Sequence, residues 1–518
     1  MTITTAKRSL GRLPSLAPLA AALMVALPAQ AQWKVTPSLS LTETYSDNVA
    51  LQSDADKRAQ WITALMPAIR VTGQNSRMQV SASARSAFYK YSDGQPLGTR
   101  SSNTEYDASG KVKVIDELLY VDAFARRNSR AVSAFGLRDD TGNRYTTDNS
   151  TDVTSWSISP YLTRRFGNLA QATLRYTHDS TQADSGRFGD SSTDSAVVDL
   201  SSGRAWRDLG WNLRYARQDL NTDGFGDSRS ENALAALSYA VSRTLRLTAT
   251  GGYDRYDYAS LGGSTAGASW SLGFGWNPSA RTAIEMSAGR HFFGSTGAVS
   301  AVHRSRHTVW KLSYTDAVTN TREQFSLPQT LDTASLFDSL FAVTFPDPVA
   351  RRQAIEAYLL ANGLPPSLTE SVNYLSNRYF RQKQLQASFA YTMRTQSMLL
   401  SAYANERTAL SSQEVDSGLL GNQFAALNDN VRQLGLSASY SYRLNALTSA
   451  NAALTATRTR SLSSNVSQDL QNLRIGMTRR FSRKLSGSVE LRHTRGERGQ
   501  FGADYKENAI SATLSAQL

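Results

Sequence analysis

The side chains best suited to acid–base work are five histidines, His178, His291, His303, His307 and His493, and they are scattered along the chain. His303 and His307 are four apart, which would place both on one face of a strand, but no acid lies in phase to complete a metal set. There is no His-Glu-x-x-His helix motif, no Gly-x-Ser-x-Gly elbow and no Walker loop. A hydrolase would have to assemble its triad from distant strands, with His178 or His493 as the base. In DLNTDGFGDSRSE (Asp219 to Glu231), Asp219, Asn221, Asp223 and Gly224 match the first half of a calcium loop. Glu231 falls one position late and no helical pattern flanks it, so a solvated turn is expected there. Neither a cofactor nor a metal is expected, and the chain reads as a non-enzyme.

More regular chemistry sits on Arg175, Arg214, Arg246, Arg474 and Arg492. Each lies on the polar phase of a segment that alternates apolar and polar residues. Leu245, Leu247, Ala249 and Tyr253 oppose Arg246, Thr248 and Thr250; Leu434, Leu436, Ala438, Tyr440 and Tyr442 oppose Gly435, Ser437, Ser439 and Ser441. Period two is the mark of a strand with one oily and one wet face. The segments run to about 10–14 residues with aromatics near their ends, as tilted membrane strands require. Only 19% of residues are charged, 33 are glycine and none is cysteine. Beyond the N-terminus no apolar run is long enough for a membrane helix.

These features predict an all-β protein, a transmembrane up-and-down antiparallel β-barrel of about 22 strands with a small helical insert. A signal peptide is expected over residues 1–31, with Lys7, Arg8 and Arg12 ahead of an apolar run and Ala29-Gln30-Ala31 at the cleavage site. Its removal would take the net charge from +13 to +10. The barrel is expected over 32–518, in the outer membrane.

Short turns are read at 74–76, 116–117, 167–168, 207–208, 242–243, 277–279, 445–446 and 482–484. Longer loops are read near 48–60, 93–103, 128–151, 179–194, 219–230, 255–264, 408–430 and 498–506. The short set should face the periplasm. Parity then asks for one more strand, assigned to Thr321–Leu327 after a turn at Ala317–Asn320. Residues 328–376 carry helical signals instead: Asp347 as N-cap, Pro348 at the first position and Gly363 past the end, with a shorter helix around Leu336, Phe337, Leu340 and Phe341. Parity puts this insert on the external side, as a structured loop or as a plug folded over or into the barrel mouth.

The opening WKVTPSLSLTETYSDNVAL (Trp33 to Leu51) resembles that of the PEP-CTERM-system-associated outer-membrane barrels, relatives of barrels from exopolysaccharide biosynthesis clusters. Trp33, Thr36-Pro37-Ser38, Tyr45, Asp47-Asn48 and Val49 carry the likeness. SYTDAVTNTREQ (Ser313 to Gln324) is similar to that family's mid-barrel hairpin, and DYKEN (Asp504 to Asn508) to its approach to the last strand. One departure is Leu518, where such barrels usually close on Phe. The resemblance implies a barrel tied to exopolysaccharide export, as conduit or scaffold, touching outer-membrane lipid, anionic polysaccharide and periplasmic export components. The alternative from another class is a general or anion-preferring diffusion porin. Basic residues are spread over every hairpin rather than gathered in one patch, which argues against a nucleic-acid partner.

Overall fold

Strands with one apolar and one polar face satisfy their backbone groups by pairing, and in lipid only a closed sheet leaves none unpaired. The computed structural model describes residues 32–136, 145–146, 149–184, 188–223, 226–258, 265–321, 331–342, 344–361, 364, 367–368, 374–376, 378–411, 425–464, 466–497 and 504–518. Within them, 22 strands of 10 to 17 residues form one antiparallel sheet, each paired with its neighbours in sequence. The first, β1 (Gln32–Ser46), also pairs with the last, β24 (Tyr505–Gln517), from Ser38↔Gln517 to Ser46↔Ala509. The barrel is therefore closed and has no edge. The expected leader, 1–31, lies outside the described residues, as do Gly224, Gly363 and 322–327.

The sheet is inverted relative to a soluble protein. Leu434, Leu436, Tyr440 and Tyr442 are exposed, while Gln433, Ser437, Ser439 and Ser441 between them are buried. Only a lipid surround makes such an arrangement favourable, so this is a barrel of the outer-membrane type. Aromatics gather near strand ends; the Tyr45 and Trp61 rings, for example, lie 5.3 Å apart. No described helix is long and apolar enough to cross a membrane.

Strand boundaries depart from expectation in a consistent way. Leu209–Thr222 and Gly226–Ala240 stay paired up to Thr222↔Gly226, so most of the expected loop 219–230 is strand. Ala170–Ala183 and Ser191–Ser202 likewise extend into 179–194, whereas the loops expected near 48–60, 93–103, 408–430 and 498–506 agree closely with the observed strand ends. Above the lipid the outward residues become charged, so the polarity alternation fades while the hydrogen-bond ladder continues. Asn277–Ser279 likewise belong to the strand Ala266–Ser279, with a bulge between Trp276 and Ser279.

The total of 22 strands stands, but not through Thr321–Leu327. Residues 317–320 form no turn: β15 (Thr308–Asn320) runs straight through them and pairs to its end, Asn320↔Tyr379, with β18 (Tyr379–Thr392). Parity is restored earlier. Phe292-Phe293 is a two-residue connection splitting 282–304 into β13 (Thr282–His291) and β14 (Gly294–Arg304), helped by Gly294 at φ 114°.

Between β15 and β18 the chain forms β16 (Leu331–Asp332), α1 (Thr333–Phe341), α2 (Pro348–Ala361) and β17 (Ser367–Leu368). Pairing of β16 with β17 clamps the two ends of this insert. Proline fits the first turn of α2 because its missing N–H has no partner there, and the Asp347 carbonyl accepts from the Arg351 N–H. Arg351 fixes the two helices to each other. Its Nε donates to Asp338 at 2.7 Å and its Nη1 to the carbonyls of Phe345 and Pro346.

Candidate functional site

The insert leaves the wall at the long-loop rim yet comes to rest at the opposite end of the lumen. Val309, Ala390 and Leu399 point inward near the short-turn ends of β15, β18 and β19 (Gln396–Ala409). They are direct partners across three strands, Val309↔Ala390 and Ala390↔Leu399. This apolar ladder, set in an otherwise polar interior, packs against Ala334, Leu336 and Phe337 of α1 and Ile355 and Leu359 of α2, with Leu340, Phe341 and Tyr358 beside them. The cluster is nearly dry; Phe337 and Leu399 are both 0% exposed. Burial of Leu336, Phe337, Ile355 and Leu359, at roughly 1.5–3 kcal/mol each, is a substantial docking term.

Polar contacts fix the orientation. The Tyr358 hydroxyl meets Thr392 Oγ1 at 2.6 Å and also Ser397 Oγ, at the turn joining β18 to β19. On the other side Glu356 accepts from Arg70 on β2 (Gln60–Gln74). The helices thus bridge walls that are remote along the sheet. They form a plug seated deeper than the mouth.

The long-loop end is covered separately. Ser133 Oγ and the Ala134 N–H donate to Asn428 Oδ1, and Gly136 N–H donates to Gln468 Oε1. These bonds tie the end of the strand Leu119–Ala131 to strands Asn430–Arg443 and Ser467–Arg480. Tyr374 packs on Phe135, Leu427 and Val431, and Leu375 on Val153 and Phe188. Tyr145 is buried against Tyr89 and Tyr91, and its hydroxyl accepts from Arg492 at 3.5 Å. Burial pushes the Tyr145 phenol well above its ordinary pKa, so it stays neutral.

Between the two closures lies a lumen cavity of about 820 Å³. Lys111, Arg175 and Arg214 line it from one side of the wall, together with Asp122, Asp179 and many Ser and Thr. Arg175 donates to Asp122 at 3.1 Å and stacks 4.0 Å over the Tyr161 ring. Lys111 lies 5.7 Å from the same ring. Arg214 has no hydrogen-bond or ion-pair partner among the described residues.

The five arginines divide by environment. Arg175 and Arg214 face the cavity. Arg246 lies near the short-turn end and donates to Ser238 Oγ at 3.1 Å. Arg474 sits directly across a strand pair from Arg492. Arg492 is buried and bound to Glu507 at 2.9 and 3.2 Å. Its partner is thus Glu507, two positions along the neighbouring strand from its direct partner Ala509.

Other candidates come apart. His303 is the last residue but one of β14 while His307 lies in the turn that follows, so the two do not share a strand. His178 and His493 lie on the outward phase, bonded to Asp194 and Asn508, which removes both from any lumen triad. Asp219 is held by Arg217 at 2.9 Å and Arg229 at 2.5 Å, so two guanidinium groups occupy the carboxylate that opens the partial calcium-loop match. No group of three or more potential metal ligands occurs among the described residues.

Sequence reasoning missed the docking ladder although a signal was present. Alternation breaks at Val309-Trp310, Phe389-Ala390-Tyr391 and Met398-Leu399-Leu400, where an inward position is as apolar as its outward neighbours.

No protein-family model matches the chain, and no curated protein matches it. Solved structures of similar architecture include a mutant ferric enterobactin receptor from Pseudomonas aeruginosa, at 10% identity and TM-score 0.46, covering 94% of this chain and 80% of that one. The FrpB iron transporter from Neisseria meningitidis is similar at 9% identity and TM-score 0.48, covering 93% and 81%. The siderophore receptor PirA from Pseudomonas aeruginosa is similar at 10% and 0.39, covering 93% and 80%.

Proposed function

We propose that the protein is a gated outer-membrane conduit for an anionic exopolysaccharide, closed at rest and catalysing no reaction. The observation that carries this reading is the seating of α1 and α2 on the Val309–Ala390–Leu399 ladder inside the lumen. A general porin needs an open eyelet, whereas this lumen is obstructed near one end and bridged by loops at the other. Arg175 and Arg214 in the cavity wall would raise the local concentration of a polyanion. The family-like segments at Trp33–Leu51, Ser313–Gln324 and Asp504–Asn508 supply the association with exopolysaccharide clusters. A periplasmic export component meeting the short-turn end would find the helices within reach.

The test is single-channel conductance of the refolded barrel with and without residues 329–375. Silence from the intact protein, with large anion-selective currents after deletion, is expected. Steady large currents from the intact protein would favour the diffusion porin. Silence from both would leave a scaffold. Normal polysaccharide secretion in a deletion strain would count against export altogether.

A further inference from the structure

The outer wall near β24 holds an arrangement that the conduit does not use. Arg495, on the strand Leu485–Gly496, and Lys506, on β24, are direct partners and both lie on the outward phase. Like charges placed directly opposite each other destabilise a strand pair. Neither side chain has an ion pair or hydrogen bond among the described residues. Of the acids near these strand ends, Asp469 is bound to Arg458 at 2.6 and 2.7 Å, Glu497 accepts from the Asp469 N–H and Asp47 accepts from Asn508.

On the membrane side of this pair lies an outward groove of about 520 Å³. Leu473, Ile475, Leu491 and Ile510 line it, and Tyr45 borders it. Between groove and cations runs a hydrogen-bonded row, in which His493 Nδ1 meets Asn508 Oδ1 at 2.8 Å and Asn508 Nδ2 donates to Asp47 at 2.8 Å. Going toward the long-loop end, the outer surface therefore passes from apolar, through a hydrogen-bonded polar row in which Asn508 holds the Asp47 carboxylate, to doubly cationic. That is the profile of a lipid's acyl chain, linker and anionic head.

We propose that this face is a specific seat for a phosphate-bearing lipid of the external leaflet, with its phosphate between Arg495 and Lys506 and an acyl chain along Leu473–Ile475–Leu491–Ile510. The bound phosphate converts the repulsive pair into two charge-assisted contacts. The inference is independent of what, if anything, crosses the lumen.

The experiment is native mass spectrometry of the detergent-purified full barrel, titrated with a diphosphorylated lipid A, its dephosphorylated counterpart and inorganic phosphate. The phosphorylated lipid should bind the wild type about tenfold or more tightly than the dephosphorylated one, at about 1 kcal/mol per surface cation. The double variant Arg495→Gln/Lys506→Gln should lose that preference while keeping its heat-modifiable mobility on gels. Arg432→Gln, outward but tied to Glu406, serves as the control for general surface charge. Equal binding of the two lipids, an unchanged double variant, or an equal loss in Arg432→Gln would overturn the proposal. So would full displacement by millimolar inorganic phosphate, which would mark a small-anion site.

Discussion

Replacing Phe337 by alanine should unseat the plug. Phe337 is fully buried where α1 meets the wall, and its ring packs 5.5 Å from Tyr358 and 6.4 Å from Phe341. In the undocked state the same side chain would face lumen water, so nearly all of its burial is at stake. A Phe→Ala change at such a site costs about 3–5 kcal/mol, the upper end holding if its neighbours cannot close the gap. At 1.4 kcal/mol per tenfold, the undocked fraction should rise by about two to three and a half powers of ten. The chain has no cysteine, so a single Ala334→Cys reporter is unambiguous. Ala334 is 2% exposed, and the added sulfur should react with a maleimide only when the helices lift. Labelling should accelerate by at least a hundredfold in Phe337→Ala, with heat-modifiability of the barrel unchanged. An increase of less than about threefold would refute the argument that this ring holds the docked state, since even 1 kcal/mol gives about fivefold.

Four further outcomes follow from the same geometry. Arg70→Ala should speed labelling by no more than about fivefold, because Arg70 and Glu356 are 53% and 31% exposed and such pairs contribute about 0–1 kcal/mol; in 1 M salt the difference should vanish. Glu507→Gln leaves Arg492 buried with its countercharge gone, at a cost of about 3–5 kcal/mol, so the gel transition from folded to unfolded barrel should move to lower temperature. Arg214→Glu in the barrel lacking 329–375 should shift the reversal potential in a salt gradient toward cations, while Leu436→Arg, on the lipid face, should instead lower refolding by about 2–4 kcal/mol.

The barrel was legible because its alternation is local: each strand carries its own record of which face meets lipid. That record ends where lipid ends. Asp219 and Arg229 belong to paired strands, yet with charge on the outward face they read as loop. The helices were legible from Pro348 and the spacing of Ile355 and Leu359. Their destination was not, because a helical pattern says that a face needs cover without saying where cover lies. Three broken alternations in the wall held that information, but only the register Val309↔Ala390↔Leu399 brings them into one patch. Arg492 shows the same limit: its phase marks it as inward, but its bond to Glu507 rests on strand pairing and its cover by Tyr145 on a distant loop.

The position of the plug in the chain also fixes when it can arrive. Its ladder belongs to β15, β18 and β19, the strands flanking it in sequence, so helices and landing patch can form together as one local hairpin. Its bond to the far wall, Glu356 to Arg70, spans 286 residues and waits until β2 is brought round. Docking can therefore precede closure of the β1–β24 seam. An obstruction whose landing patch is local in sequence can be built into a still-open sheet, so biogenesis need not thread two helices into a finished tube.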